Sequence, residues 1–181
     1  MSKRVYISAD YSSCDGDRVV VEELNKYPGY FTYPVWYDFE NDNAKSTSRK
    51  SENAEVIKTF CDYVGNAGYY TGIYTYTSFF TSYIDDSQLT PYDHWVAQYG
   101  ANDGEPHSVT YTGTYGMWQY TETGRVSGID RVCDKNYCYY DYPSYIKANG
   151  LNGFSKPSVA NPQFSFKTGA NLSLNEASKR I

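Results

Sequence analysis

The chain has 181 residues and a formal net charge of −5, with a pI near 5.0. This length favours one domain with a buried core, and the acidic balance argues against a nucleic-acid-binding protein, which would present a basic face. No stretch approaches the roughly 20 apolar residues of a membrane span, and the N-terminus shows no apolar core of a signal peptide. We therefore expect neither nucleic acid nor membrane as a partner.

Tyrosine is unusually frequent, with 22 copies. Its ring offers a flat apolar face together with a hydroxyl, which suits the binding of sugars, peptides and other flat polar ligands. Tyrosine is also enriched in β-strands, where it can serve packing alone. Composition by itself leaves both interpretations open.

The N-terminal third alternates between strand and helix patterns. Residues 3–9 are typical of a short buried strand, and residues 15–26 have roughly helical spacing. A second strand is predicted at 33–39, followed by a polar loop and a helix over 51–68. The predicted apolar stripe of that helix comprises Ile57, Phe60, Cys61 and Val64.

The middle of the chain continues the alternation, which indicates parallel β/α units. After Gly150 the composition shifts to Gly, Ser, Asn and Pro, as in a linker. The predicted elements are a strand at 69–77, a short helix or turn at 77–84, a strand at 93–100, extended chain with a glycine turn at 115–129, and a further strand within 132–142.

The four cysteines do not indicate a metal site. They contain no C-x-x-C pair, so zinc is not expected, and no cofactor is predicted. Without a visible signal peptide, reduced thiols are expected. The spacing of Cys133 and Cys138 leaves a disulfide between them open.

Two carboxylates close the strand predicted at 33–39. Asp38 and Glu40 flank Phe39, and alternate residues of a strand point to the same face. Like charges at this distance repel one another unless water or function keeps them there. The pair is therefore either a solvated strand end or a functional pair.

Five segments follow one another in order along the chain: YPVWYDFEN, GYYTGIYTYTSFF, YDHWVAQYG, YGMWQYTETGRVSGI and VCDKNYCYYDY. Together they resemble the C-terminal half of the catalytic domain of family 25 glycoside hydrolases, which are lysozymes, N-acetylmuramidases of bacterial and phage origin. The resemblance spans residues 31–142 and implies an α/β fold, a (β/α) barrel of the family 25 lysozyme type with its active site at the C-terminal ends of the strands.

The resemblance assigns catalytic roles to three carboxylates. Glu40 would be the general acid that protonates the glycosidic oxygen, and Asp38 would stabilise positive charge at the sugar carbon or act through a neighbouring acetamido group. Asp134 resembles the acid of the last strand, which faces this pair. A cap of a helix or turn is the alternative for Asp134.

The resemblance also implies substrate-binding positions on neighbouring strands. Core packing is the alternative for the two tryptophans, and neither His94 nor His107 is given a catalytic role. The implied contacts are Tyr74 and Gln98 lining the cleft, Trp95 and Trp118 as aromatic walls, and Gln119 and Tyr120 as hydrogen-bond partners of an N-acetyl group.

The N-terminal part departs from the family pattern. Residues 1–26 match it poorly and look more like a flavodoxin-like or TIR-like β/α unit, although Asp10 could imitate the missing acid of the first strand. We therefore expect a β/α domain over 1–150 whose barrel is incomplete or rearranged at its N-terminal part, followed by a linker-like tail over 151–181. Open sheet edges and an exposed apolar inner face would then favour self-association.

Two functions are consistent with these patterns. The first is a peptidoglycan hydrolase that cleaves the β-1,4 bond between N-acetylmuramic acid and N-acetylglucosamine. It would act on the bacterial cell wall, extracellularly or after release by a phage. The second is an inactive, truncated or fused lysozyme-like remnant with a glycan-binding or structural role. Convergence of the three carboxylates on one cleft beside Trp118 would favour the first.

Overall fold

Six strands form one open sheet in the computed structural model, which describes residues 5–8 and 16–157. Strands β1 to β5 are parallel to their neighbours, whereas β6 runs antiparallel to β5. The strands lie side by side in chain order, so β1 and β6 form the two edges of the described sheet. They are β1 (Val5–Ser8), β2 (Val35–Asp38), β3 (Thr71–Tyr76), β4 (Asp93–Ala97), β5 (Met117–Gly124) and β6 (Cys133–Cys138).

Helices connect the successive strands from β1 to β4, because a parallel pair needs a crossover, whereas residues 98–116 between β4 and β5 form irregular chain. The predicted alternation of strand and helix is thereby confirmed up to β4, and the segment left as helix or turn is a helix. Within the described part of the chain, no helix is both long and apolar enough to cross a bilayer. The helices are α1 (Gly16–Leu24), α2 (Lys50–Asn66), α3 (Thr77–Ser82) and α4 (Tyr142–Asn149), with 3₁₀ turns at Asp42–Ala44, Thr47–Arg49 and Asp86–Gln88.

The main core lies between α2 and one face of the sheet, called here the outer face, which carries Tyr37, Ile73 and Val96. The predicted apolar stripe of α2 is confirmed, because all four of its side chains are buried. The rings of Phe60 and Tyr37 lie 4.6 Å apart between their centroids. Full burial of each such side chain contributes on the order of 1.5–3 kcal/mol.

The opposite face, called here the inner face, carries Trp36, Tyr74 and Trp95 and is buried as well. Helix α4 lies against it through Tyr142 and Ile146, and the rings of Trp36 and Tyr142 are 5.9 Å apart. The expectation that an incomplete barrel would expose its apolar inner face is therefore wrong for these strands. The reason is that the chain supplies its own cover after β6.

The segment after α4 is anchored by Asn152, which is fully buried. Its Oδ1 accepts a hydrogen bond from the backbone N–H of Tyr70 (2.8 Å), and its Nδ2 donates to the carbonyls of Phe31 (3.1 Å) and Tyr33 (2.9 Å). Its own N–H donates to the carbonyl of Gly68. Asn152 thus ties the start of the predicted tail to the segments before β2 and β3, whereas residues 155–157 are exposed. The rest of that tail lies outside the described residues.

Cys61 and Cys133 are free thiols. Cys133 and Cys138 lie at opposite ends of β6, and Cys61 is a buried residue of α2. Burial raises the pKa of the Cys61 thiol, which keeps it protonated. The extended strand between Cys133 and Cys138 holds their sulfur atoms apart. Cys14 lies outside the described residues.

A polar cluster stabilises the segment before β4. The Nε2 atom of the buried His94 lies 2.9 Å from Oδ1 of Asp86, and the hydroxyl of Tyr111 donates to Oδ2 of Asp86 at 2.5 Å. Burial alone would raise the pKa of Asp86, but the hydrogen bonds from His94 and Tyr111 outweigh it and hold that pKa below its usual value of 3.8. The folded state therefore favours ionised Asp86.

We expect Asp86→Asn to lower the free energy of unfolding by about 2 kcal/mol at neutral pH, because charge-assisted hydrogen bonds are lost. A carboxyl with a lowered pKa contributes its full stability above the unfolded value of 3.8 and loses it as the pH falls further. Urea unfolding at several pH values should therefore show the variant and wild type converging below that value. Asp103→Asn is the matched control, because Asp103 pairs with His107 at 3.0 Å on the surface. A control effect as large as that of Asp86→Asn would contradict the prediction.

Candidate active site

Asp38 and Glu40 lie together at the C-terminal end of β2. Phe39 between them points to the outer face, where its ring meets that of Phe79 at 6.1 Å. Strand alternation then directs both carboxylates to the inner face, and β3 fixes this end because the Phe39 N–H donates to the Tyr74 carbonyl at 3.0 Å. Asp38 is 8% exposed and Glu40 is half-buried. The same-face placement predicted from the Asp-x-Glu spacing is therefore what the strand adopts.

Glu40 is poised to hold a proton at neutral pH. Burial, followed by the charge of Asp38, raises the pKa of Glu40 to about 7, and the more distant charge of Glu122 adds to the effect. The nearby Tyr74 hydroxyl acts in the opposite direction. Among the described residues, the Oε1 atom of Glu40 is buried and has no hydrogen-bond partner. One member of the pair is thus available as an acid while its neighbour supplies negative charge.

Gln119 of β5 connects β3 and the segment after β4 beside this pair. Its Oε1 atom accepts hydrogen bonds from the hydroxyls of Tyr74 (2.7 Å) and Tyr99 (2.5 Å). The Tyr74 and Gln119 side chains are each 3% exposed. Both predicted positions therefore lie on the inner face next to Glu40, in a network that also includes Tyr99.

Asp134 lies at the end of β6 that pairs with the C-terminal end of β5, since Cys133 is opposite Gly124. Alternation along β6 places Asp134 on the same side as Asn136, whose Oδ1 accepts a hydrogen bond from the inner-face Trp95. Asp134 is solvent-exposed. It is thus on the inner side, at the same end of the sheet as Asp38 and Glu40, but across three intervening strands.

Trp95 forms part of the wall of the inner face. It is 4% exposed, its ring centroid lies 4.7 Å from that of Tyr74, and its Nε1 donates to Asn136 at 2.9 Å. This position agrees with both interpretations of Trp95, as a core residue and as a wall of the cleft. The ring is buried, and it packs against Tyr74, which lies next to Glu40.

Three of the implied substrate contacts point to the outer face instead. The Gln98 Oε1 atom accepts from Thr77 (3.0 Å) and from the Thr110 N–H (2.9 Å), so it holds a loop. The Trp118 Nε1 donates to the Gln98 carbonyl, and its ring meets that of Tyr120 on the same side of β5. These placements correct the expectation that Gln98, Trp118 and Tyr120 line the cleft. The reason is strand alternation, because the residues next to them in sequence, Ala97 and Gln119, occupy the inner positions.

Sequence reasoning missed Tyr99 and Asn136. Both could have been found by counting in steps of two, because Tyr99 follows Trp95 at i+4 and Asn136 follows Asp134 at i+2. Asp10, considered as a substitute acid, lies outside the described residues.

A cavity of about 240 Å³ lies at the opposite end of the sheet from the carboxylate pair. It is lined by Tyr70, Asp86, Asp93, His94 and Tyr111, among others. Asp38 and Glu40 do not line it. Within residues 16–157, no group of three or more His, Cys, Asp or Glu side chains is arranged to hold a metal ion.

A family model matches a large part of the chain. The model of the family described as glycosyl hydrolases family 25 matches residues 21–129. That range covers more than half of the chain and contains both carboxylates of the pair. No curated protein matches the sequence.

Several solved structures share the fold. The CTP1L endolysin is 27% identical with a TM-score of 0.55, and the match covers 77% of this chain and 48% of that one. The glycosyl hydrolase 25 GHIP of Streptococcus pneumoniae is 23% identical (TM-score 0.62; 85% and 65% covered). The catalytic domain of endolysin ply40 from bacteriophage P40 of Listeria monocytogenes is 25% identical (TM-score 0.56; 84% and 72% covered). The chain thus spans less than two thirds of the first two solved chains.

Proposed function

The chain belongs to family 25 of the glycosyl hydrolases, and from this premise we propose that it is a peptidoglycan hydrolase. Membership confirms the resemblance seen in the sequence. The fold of the solved relatives likewise confirms the expected α/β architecture of the family 25 barrel type, with an incomplete barrel. The activity itself is inferred from the site.

Bacterial peptidoglycan is the proposed substrate. Two of the solved relatives are described as endolysins, and these are 27% and 25% identical to this chain. We place the action of the chain at the bacterial cell wall, extracellularly or after phage release. The proposed bond is the β-1,4 linkage between N-acetylmuramic acid and N-acetylglucosamine.

The observation that carries the proposal is the Asp38–Glu40 pair at the end of β2, in which burial and the charge of Asp38 raise the pKa of Glu40. Glycoside cleavage needs one carboxylic acid and one carboxylate near the same bond. Glu40, with a pKa of about 7, would donate its proton to the leaving glycosidic oxygen. Asp38 would stabilise the positive charge that develops at the sugar carbon, or orient a neighbouring acetamido group. Asp134 would face the substrate from β6.

The proposed substrate contacts are limited to the inner face. Tyr74 and Gln119 present polar groups beside Glu40, and Trp95 supplies part of the wall behind them. A glycan strand would approach from the C-terminal end of the strands, where Glu40 is partly exposed. The outward-facing side chains of β4 and β5 have no part in this proposal.

Product analysis on purified peptidoglycan tests the function. The wild-type chain should clear a peptidoglycan suspension, and the new reducing ends, reduced with borohydride and hydrolysed, should yield the alditol of muramic acid. Glucosaminitol instead would show cleavage of the other glycosidic bond. If no reducing ends form and the chain sediments with the insoluble glycan, the glycan-binding alternative replaces the enzyme.

We expect the activity to fall as the pH rises through about 7. The pKa of Glu40 is raised, so the acid form needed for catalysis is present below that value and is lost above it. The measurement is kcat/KM on a soluble glycan fragment between about pH 4 and about pH 9, which reports the free enzyme. A rate that stays constant well into the alkaline range would exclude Glu40 as the acid.

A further inference from the structure

Asn102 fastens the loop after β4 to the end of β5. Its Oδ1 atom accepts hydrogen bonds from the hydroxyl of Thr121 (2.9 Å) and from the backbone N–H of Glu122 (3.2 Å). Its Nδ2 atom donates to Oε1 of Glu122 at 3.2 Å. Its backbone carbonyl accepts from the hydroxyl of Thr123 at 2.6 Å. One loop residue thus holds three consecutive residues of β5.

The backbone of Asn102 adopts a conformation that most residues avoid. Its φ of 51° lies in the left-handed region, which Asn tolerates better than most other residues with a side chain. Its N–H donates to the Tyr99 carbonyl at 3.0 Å, which closes a turn at the end of β4. Such backbone conformations persist where the surrounding contacts enforce them, and they cluster at functional sites. The four bonds to β5 are the contacts that enforce this one.

Strand β5 departs from regular pairing at the residues that Asn102 holds. Its register with β6 shifts between Gln119 and Thr121, and again between Thr121 and Gly124. Irregularities of this kind redirect side chains and are frequent next to active sites. In a regular strand, the neighbours Thr121 and Glu122 would point to opposite faces, yet both side chains bond the same Asn102 side chain. The irregular strand thus turns Glu122 toward the loop after β4.

Glu122 lies at the same edge of the sheet as the carboxylate pair, because β2 to β5 run parallel and both sites occupy C-terminal ends. The loop that holds it begins at Tyr99, whose hydroxyl bonds Gln119. Burial is the main cause of the raised pKa of Glu40, and the charge of Glu122 adds to it. The Glu122 side chain is exposed, and among the described residues only Asn102 bonds its carboxylate. Its second oxygen is therefore available to a ligand.

We propose that Glu122 is a substrate-binding residue at the β5 rim of the cleft and that Asn102 is the residue that positions it. The second carboxylate oxygen of Glu122 would accept a hydrogen bond from a hydroxyl or an acetamido N–H of the glycan. Because Asn102 already holds the other oxygen, less side-chain freedom is lost on binding. The inference rests on the proposed function and adds a glycan contact to it. Glu122 transfers no proton, so its effect is on binding.

The test measures kcat and KM separately on a soluble glycan fragment of peptidoglycan. Glu122→Ala should raise KM about tenfold and leave kcat within about twofold, because a bond made equally in the bound substrate and the transition state affects binding alone. Asn102→Gly keeps the turn, since Gly adopts positive φ without strain, but removes the side chain that holds Glu122. It should raise KM about threefold, and the double variant should raise KM no further than Glu122→Ala alone.

Glu105→Ala is the control, because it removes an exposed acid from the same loop, where Glu105 lies 3.9 Å from Nζ of Lys135. It should leave KM unchanged. An unchanged KM in Glu122→Ala, an equal rise in Glu105→Ala, or fully additive effects in the double variant would overturn the inference, while an active wild type keeps the proposed function.

If the wild type cleaves no glycan, calorimetric binding of the same fragment replaces the kinetics. Binding that is about tenfold weaker in Glu122→Ala, but unchanged in Glu105→Ala, would support the glycan contact and reject the hydrolase. Equal binding by wild type and Glu122→Ala, or no binding by either, would reject both.

Discussion

Glu40→Gln is expected to lower the rate of peptidoglycan cleavage by about 10²- to 10⁴-fold, the usual contribution of a general acid. Gln keeps the shape of the side chain but cannot give a proton to the glycosidic oxygen. The same change removes a half-buried acid that is repelled by Asp38. The variant should therefore be folded and at least as stable as the wild type, as is common when a strained functional group is replaced.

We would measure the rate by turbidity clearance and by the release of reducing ends. Thermal unfolding of the same samples would measure the stability. Glu55→Gln is the matched control, because Glu55 is exposed on α2, far from the inner face. It should retain the wild-type rate. Near-normal cleavage by Glu40→Gln would show that another group supplies the proton, and a large loss of stability would assign Glu40 a structural role.

Asn152→Ala is expected to lower the free energy of unfolding by about 3 kcal/mol or more. The change leaves a backbone N–H at Tyr70 and carbonyls at Phe31 and Tyr33 without their hydrogen-bond partner, at about 1–3 kcal/mol for each group that stays buried. It also places Ala at a backbone φ of 54°, a region that Asn tolerates better. The midpoint of thermal unfolding should fall by on the order of 10 °C.

Asn149→Ala provides the comparison. Asn149 makes one exposed hydrogen bond, from its Nδ2 to the Tyr145 carbonyl at 2.8 Å. Its loss should change the free energy of unfolding by no more than about 0.5 kcal/mol. Equal effects of the two substitutions would mean that Asn152 does not anchor the segment after α4, and that α4 stays packed on the inner face without this anchor.

The sequence predicted well the helices and strands that have one buried and one exposed face. Helix α2 is the clearest case, because its apolar residues recur at helical spacing and each of them is buried. The Asp-x-Glu pair was also placed correctly on one face, because strand alternation has a period of two. Where extended chain was predicted at 115–129, the structure has a shorter strand, Met117–Gly124, followed by a loop.

The choice of face on β4 and β5 could not be predicted. These strands carry aromatic or polar residues on both sides, so the sequence around Trp95, Gln98 and Trp118 does not distinguish inside from outside. A shift of one residue in this assignment exchanges the two faces. Tertiary packing decides it: Trp95 of β4 packs with Tyr74 on the inner face, and Val96 lies in the outer-face core. Gln98 is thereby removed from the proposed cleft.

The sequence by itself determined the family, the alternation of strands and helices, and the carboxylates at the end of β2. These are local patterns, repeated within a few residues. Only the tertiary structure decided that α4 covers the inner face, that Asn152 anchors it, and that Tyr99 and Gln119 meet beside Glu40. Each of these contacts joins residues far apart in the chain, and burial removes the water that would otherwise satisfy their polar groups, so only the assembled sheet defines their partners.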